Sequence, residues 1–445
     1  MKSRLSRALD EATSRYRDAT PRSLARYEQS CRVMPGGNTR SILHYDPYPV
    51  TITRGQGATI WDVDEKRYTD FLGEYSAGLY GHSNPRISAA IKNVLDQGIV
   101  LCAPNQYESE LADIICTRFP SCDQIRFCNS GTEANLLAIS AARTYTGRSS
   151  IMVFNGAYHG SVFYFGEHPS RINAPFDFIV GPYNDPEACV DLIHEHQQDL
   201  AAILVEPLQG SGGCIPGSRD FLQTLREIAD QSGALLIFDE VMTSRLSPGG
   251  LQAALGITPD MTTFGKYLGG GLSCGAFGGQ KEIMAQFDPR RPDALVHAGT
   301  FNNNVLTMVA GLTGLRDIYT ERVAIDHNRA GEDFRDALHL IIAEHDLPMR
   351  VSGVGSLLCL HFQRRPLQSI RDIRSDPRLR KLFQLEMLLS GIYIAHRGYM
   401  SLSLALDAQD YLKFITVFKN FLDTYSELIG ELCASEAQTA GTGLK

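Results

Sequence analysis

The chain has 445 residues, 43% of them hydrophobic and 21% charged, enough to bury a core larger than that of one ordinary domain. Its net charge of −8 is spread without long single-sign runs, which argues against nucleic-acid or membrane partners and favours small molecules. The start, Met1-Lys2-Ser3-Arg4-Leu5-Ser6-Arg7, carries no apolar signal core and no later run approaches the length of a bilayer span, so a cytoplasmic protein is expected.

In chain order, residues 1–50 read as an N-terminal helix followed by the loop Met34-Pro35-Gly36-Gly37-Asn38-Thr39-Arg40-Ser41. Alternation over Ala58-Thr59-Ile60-Trp61-Asp62-Val63-Asp64 predicts a small hairpin. From about residue 85, apolar runs of strand length alternate with helical periods: 124–128, 150–154, 177–180, 201–205, 234–239 and 262–265. That alternation is the pattern of a mostly parallel sheet with crossover helices. A long helix is expected over 303–322, a helix over 329–344, a strand-rich segment over 349–362, and a helix over 407–428 with Asp407 as its N-cap. The small, polar end, 434–445, reads as frayed. The expected organisation is α/β. It comprises an N-terminal segment, 1–84, belonging to the small domain; a large domain, 85–325; a C-terminal α+β domain, 326–434; and a tail, 435–445. The ten cysteines show neither CxxC spacing nor clustering with histidine, so free, mostly buried thiols and no metal site are expected.

The chemistry concentrates at strand ends. Thr263-Phe264-Gly265-Lys266-Tyr267-Leu268-Gly269-Gly270-Gly271 sets one lysine between an apolar run and a glycine-rich loop, and Asp239 ends the run Ala234-Leu235-Leu236-Ile237-Phe238. An acid and a lysine at neighbouring strand ends suit pyridoxal phosphate: the carboxylate keeps the pyridine nitrogen protonated and the amine forms the Schiff base that carries the cofactor. The apolar flanks and tight turns predict a partly desolvated amine with a lowered pKa. Alone, a lysine is ordinarily a solvated surface group and a strand-end acid ordinarily caps the next turn, so the weight lies in the pairing.

Asn129-Ser130-Gly131-Thr132-Glu133-Ala134-Asn135 follows a strand and opens an alanine-rich helix. Its backbone N–H groups and the Ser130 and Thr132 hydroxyls suit an anion at the positive helix end, while a plain N-cap reads equally well. In Asn155-Gly156-Ala157-Tyr158-His159-Gly160, Tyr158 suits stacking on a flat ring and His159 suits hydrogen bonding nearby. Val241 stands where it would pack on the opposite ring face, and Glu206, ending Ile203-Leu204-Val205, is a supporting acid. His297-Ala298-Gly299-Thr300-Phe301-Asn302-Asn303-Asn304 leads into a helix and offers a second anion contact through Thr300.

With these motifs in one order, the chain from about residue 30 to 425 resembles the class III aminotransferases, fold-type I pyridoxal-phosphate enzymes, in the branch of glutamate-1-semialdehyde aminomutase. The resemblance implies that Lys266 is the Schiff-base lysine and that Asp239 pairs with the pyridine nitrogen. It further implies that Ser130, Gly131 and Thr132 bind phosphate, that Tyr158 and Val241 flank the ring, and that Thr300 reaches a phosphate in the neighbouring subunit of a homodimer with shared active sites. Met34 to Ser41, Glu74-Tyr75-Ser76-Ala77-Gly78-Leu79-Tyr80-Gly81-His82, Asp239 to Arg245 and Gly299 to Asn304 are similar to those of bacterial β-phenylalanine aminotransferases. That similarity implies that Arg40 binds the β-amino acid's carboxylate and that Arg397, in His396-Arg397-Gly398-Tyr399, receives the α-carboxylate of the keto acid, a task suited to a guanidinium fork. Val100-Leu101-Cys102-Ala103-Pro104-Asn105 departs from those enzymes, which leaves the side-chain pocket open. Phe301-Asn302-Asn303-Asn304-Val305 stands where aminomutases carry serine-glycine-asparagine-proline. The expected reaction is therefore transfer of an amino group from a β-amino acid to 2-oxoglutarate or pyruvate. A 2,1-aminomutase is the alternative and a non-catalytic protein of this fold a third.

Overall fold

The computed structural model describes residues 3–166 and 168–441, the side chains of 433–441 excepted. Seven strands form the central sheet: β1 (Gln124–Cys128), β2 (Ser150–Phe154), β3 (Asp177–Gly181), β4 (Leu200–Val205), β5 (Leu235–Asp239), β6 (Met261–Gly265) and β7 (Gly275–Gly279). Their order across the sheet is β1-β7-β6-β5-β4-β2-β3. Only β7 runs antiparallel to its neighbours. The strands β2, β4, β5 and β6 are buried along their whole length, as expected of a sheet covered on both faces.

The N-terminal segment and the chain after residue 320 share a second core. Leu5, Tyr16, Tyr68 and Phe71 pack there with Phe334, Phe383, Phe414 and Ile429. The strand Ile392–Tyr393 pairs with Arg67–Asp70 at the edge of the sheet formed by Ile52–Gln56 and Thr59–Asp62. A three-stranded sheet, Arg350–Val354, Leu357–His361 and Tyr399–Ser401, completes this side.

Several expectations are corrected. The single N-terminal helix is two, Arg4–Ala19 and Pro21–Cys31, because Pro21 disfavours a helical residue before it and Thr20 is non-helical at φ −134°, ψ 45°. The helix expected over 303–322 is Val305–Thr313 capped by Asn304, followed by a π-helical segment, Gly314–Ile318. A new helix, Glu321–Glu344, starts where Thr320 Oγ1 accepts from Val323 N–H. The last helix, whose Asp407 Oδ1 accepts from Gln409 and Asp410 N–H, runs on to Gly441 through the segment expected to fray. Alanine, glutamate and glutamine there favour helix; residues 442–445 lie outside the described residues. The cysteines described are free thiols. Among the described residues no helix is long and apolar enough to cross a membrane.

Candidate active site

Lys266 follows the last residue of β6 and begins a 3-10 turn, Lys266–Gly269. Its φ of 58° is left-handed, a strained conformation that a non-glycine residue keeps only when its surroundings fix it. Gly270 after it is required by close approach: a Cβ there would lie 2.6 Å from the Ala310 backbone, on the helix Val305–Thr313. Burial lowers the Lys266 pKa to about 8; the Arg40 and Arg397 cations add to the shift, and Glu74 and Asp239 oppose it.

Asp239 ends β5, opposite Thr263 of β6, and is only 4% exposed. Its Oδ2 accepts from Asn135 Nδ2 at 2.8 Å and meets His159 Nδ1 at 2.8 Å, while its Oδ1 accepts from Val241 N–H at 3.0 Å. Asn135 is oriented in turn by Thr263 Oγ1, which donates to its Oδ1 at 2.8 Å. Three hydrogen bonds thus orient the carboxylate, and among the described residues no lysine or arginine forms an ion pair with it. His159 is fully buried and its Nε2 has no partner. Glu206 is buried as well, and it reaches the site through backbone: its Oε2 accepts from Tyr158 N–H at 2.9 Å and its Oε1 from Gly210 N–H at 3.3 Å. Burial raises its pKa to about 7, against the pull of those two N–H groups and of His159.

Ser130 caps the helix Gly131–Thr146, its Oγ accepting from Glu133 N–H at 3.2 Å. Glu133 would repel an anion there, but its carboxylate turns back to the Asn129 N–H at 2.7 Å. The Gly131 and Thr132 N–H groups belong to the first turn and have no intrahelical acceptor. A Cβ at Gly131 would lie 2.9 Å from a Val241 γ-methyl and one at Gly265 3.4 Å from the other, so Val241 fills the space between the helix start and the turn before Lys266. Thr132 Oγ1 accepts from Ser161 N–H at 3.2 Å, joining this helix to the segment of Tyr158, whose side chain is 43% exposed.

Two arginines arrive from the other core. Arg40 and Arg397 hold their guanidinium carbons 5.8 and 6.0 Å from the centre of the same ring, that of Tyr75. Tyr75 stacks on Tyr399 at 5.8 Å with the planes 8° apart. Arg397 Nη1 donates to the Ser211 carbonyl at 3.1 Å and to its hydroxyl at 3.3 Å, leaving its buried Nε unpartnered. Arg40 Nη1 is paired with Glu74 Oε1.

The fold therefore brings Lys266, Asp239, Arg40 and Arg397 into one electrostatic neighbourhood. Thr300 lies apart from it, exposed at the rim of a cavity of about 450 Å³ lined by Ile99, Leu101, Cys102, Asn105 and Phe301. Its segment is tied to the turn before the helix Gly131–Thr146 by Asn129 Nδ2, which donates to Asn302 Oδ1 at 3.0 Å. A further cavity of about 470 Å³, lined by Asn155, Asn184, Asp185, Gln368 and Asp372, holds none of the residues above except for its contact with Asn155 in the Tyr158 segment. Sequence reasoning assigned no role to Asn135, Glu74, Tyr75 or Ser211; Asn135 stood within the phosphate motif and Glu74 and Tyr75 within a quoted stretch, but their partners are remote in the chain.

The chain matches the family Aminotransferase class-III over residues 43–406. It is 48% identical over 426 residues to a β-phenylalanine transaminase of Variovorax paradoxus, covering 96% of this chain and 98% of that one. The crystal structure of a β-phenylalanine aminotransferase from Variovorax paradoxus matches with a TM-score of 0.94 at 48% identity, over 95% of this chain and 99% of the other. A glutamate-1-semialdehyde 2,1-aminomutase of Persephonella marina is 36% identical over 394 residues, 84% of this chain and 91% of that protein.

Proposed function

The chain belongs to the class-III aminotransferases, and on that premise we propose that it moves the amino group of an aromatic β-amino acid, with β-phenylalanine favoured, to a keto acid such as 2-oxoglutarate or pyruvate. The resemblance drawn from its motifs thus meets a family match, and the protein is a pyridoxal-phosphate-dependent transaminase. The site fits that cofactor. A fixed carboxylate without a cationic partner suits a protonated pyridine nitrogen, an amine of lowered pKa suits an aldehyde, and a glycine-opened helix start suits a phosphate. Pyridoxal phosphate supplies an electron-withdrawing ring and the aldehyde carbon that carries the amino group between the two half-reactions.

The protein's own residues divide the remaining work. Asp239 holds the ring nitrogen's proton, and Asn135, His159 and Val241 N–H keep it in place. Ser130, Gly131 and Thr132 would hold the phosphate and Tyr158 and Val241 would flank the ring, with Glu206 fixing the Tyr158 backbone. Lys266 Nζ would anchor the cofactor and would serve as general base toward the proton on the substrate's amine-bearing carbon. Arg40 binds the donor's carboxylate and Arg397 the α-carboxylate of the acceptor, since both stand on the Tyr75 ring and both act on Lys266. That pairing of two guanidinium groups with one reactive lysine is the observation that carries the β-amino-acid reading.

Ile99, Val100, Leu101 and Phe301 are 42–59% exposed around Thr300, an apolar face that a second copy of the chain would cover to form a homodimer with shared sites. Free surface thiols at Cys31 and Cys102 suit a reducing, cytoplasmic setting.

The test is a panel of β-phenylalanine, other β-amino acids, glutamate-1-semialdehyde and simple amines, each with 2-oxoglutarate, with pyruvate and with no acceptor. Turnover of β-phenylalanine that requires a keto acid and follows ping-pong kinetics is expected. Arg40→Ala should lower kcat/KM for β-phenylalanine about 100-fold, the worth of a charge-assisted bidentate pair of ~3 kcal/mol, with bound cofactor retained. Product without an acceptor would point to the aminomutase instead, and unchanged kinetics in Arg40→Ala would refute the carboxylate assignment.

A further inference from the structure

Gly73, Glu74, Tyr75 and Ser76 have φ of 52°, 49°, 53° and 79°. Only the first is glycine, and in this left-handed region the Cβ of an L-residue crowds the backbone. Three such residues in succession persist only where their surroundings dictate them. Here the surroundings do so. Arg245, fully buried, donates from Nη1 to the Ser76 carbonyl at 3.4 Å and to Ser401 Oγ at 2.9 Å. A Cβ on Gly73 would lie 2.3 Å from the Ser401 carbonyl oxygen, so the turn is pressed onto the strand Tyr399–Ser401. The outcome of this enforced turn is an ion pair: Glu74 Oε1 faces Arg40 Nη1, while Tyr75 lies beneath Arg40 and Arg397.

We propose that Glu74 is a resident carboxylate on Arg40, a specificity-determining residue that the carboxylate of a substrate must displace. The proposal rests on the assignment of Arg40 to the donor's carboxylate. The exchange is of like for like: Arg40 Nη1 releases Glu74 Oε1 and takes a substrate oxygen, and no proton moves. Glu74 is 51% and Arg40 45% exposed, so the displaced side chain returns to water. A donor without a carboxylate leaves the pair closed, and Arg40 does not face its apolar part as an unpaired cation. Glu74 therefore weakens binding of carboxylated donors and protects binding of carboxylate-free ones, narrowing the discrimination between them.

The measurement is binding of 3-phenylpropanoate, which has the aryl group and carboxylate but no amine to react, to the holoenzyme by calorimetry, alongside steady-state kinetics with β-phenylalanine and 1-phenylethylamine. In Glu74→Gln, Kd for 3-phenylpropanoate and KM for β-phenylalanine should each fall about three-fold, the scale of an exposed ion pair. Measured at pH 9, where Lys266 is unprotonated in both proteins, the kcat for β-phenylalanine should hold, and kcat/KM for 1-phenylethylamine should fall by about two-fold. Unchanged Kd and KM in a variant with wild-type cofactor absorbance and Tm would overturn the proposal. Arg40→Ala separates the two readings. If that variant binds 3-phenylpropanoate as the wild type does, the carboxylate assignment fails and the proposal with it. If it binds weakly and Glu74→Gln still tightens binding in the double variant, Glu74 acts elsewhere and only the proposal fails.

Discussion

The proposed role of Lys266 as a base rests on three local influences on one nitrogen. Burial removes water from Nζ, two guanidinium groups disfavour its charge, and two carboxylates restrain the shift, with a pKa of about 8 as the result. In the half-reaction with the keto acid the lysine is not covalently engaged, and only its unprotonated form accepts a proton. A lowered lysine pKa means the active form accumulates as pH rises, so kcat/KM for 2-oxoglutarate should climb up to about ten-fold per unit below pH 8 and level off above it. The keto acid does not titrate in this range, and a profile flat from pH 6 to 9 would remove Lys266 as the titrating base. Lys266 and Asp239 were legible because each ends an apolar run in a short motif. Glu74 and Tyr75 were not, because their role depends on backbone angles and on meeting Arg40 and Arg397 from distant parts of the chain.

Among elements, the clearest contrast lies inside the central sheet. The runs expected over 124–128, 150–154, 177–180, 201–205, 234–239 and 262–265 all became strands within a residue or two, because a strand covered on both faces is apolar throughout. Gly275–Gly279 escaped notice, since three glycines in Gly-Ala-Phe-Gly-Gly carry no β signal. Tertiary contact explains them. A Cβ at Gly275 would sit 2.1 Å from the Ser130 carbonyl oxygen, one at Gly278 2.7 Å from that of Gln124, and one at Gly279 2.6 Å from that of Asp260. Ser130 caps the helix Gly131–Thr146 proposed to hold the phosphate, so β7 sets the position of that helix start from behind. Gly275→Ala should therefore force Ser130 outward, costing about 2 kcal/mol of stability by overpacking and weakening cofactor affinity about ten-fold as the helix start shifts. A thermal melt and a fluorescence titration with pyridoxal phosphate measure both; wild-type affinity in this variant would show that the strand does not govern the cap.

At the scale of the whole molecule, the reactive lysine and acid stand on a sheet built from the middle of the chain. The arginines come from the first 80 residues and the last 120 or so, which are joined through pairing such as Ile392 with Thr69 and the stack of Tyr75 on Tyr399. The site is thus a junction within one chain. Thr300, exposed and away from Lys266, extends the same logic to a second chain. If Thr300 completes the neighbouring subunit's phosphate site, an acid placed there would repel that phosphate, and Thr300→Asp should be nearly inactive, as should Lys266→Ala. Co-expressed, the two variants form mixed dimers in which one site has Lys266 from one chain and Thr300 from the other, both intact. Each mixed dimer would then hold one working site of its two, so about half of the wild-type activity per dimer should return. Recovery is read as β-phenylalanine turnover per dimer after tandem-tag purification of the mixed species. If Thr300 acted within its own chain, one site would lack Lys266 and the other Thr300, and no activity would return.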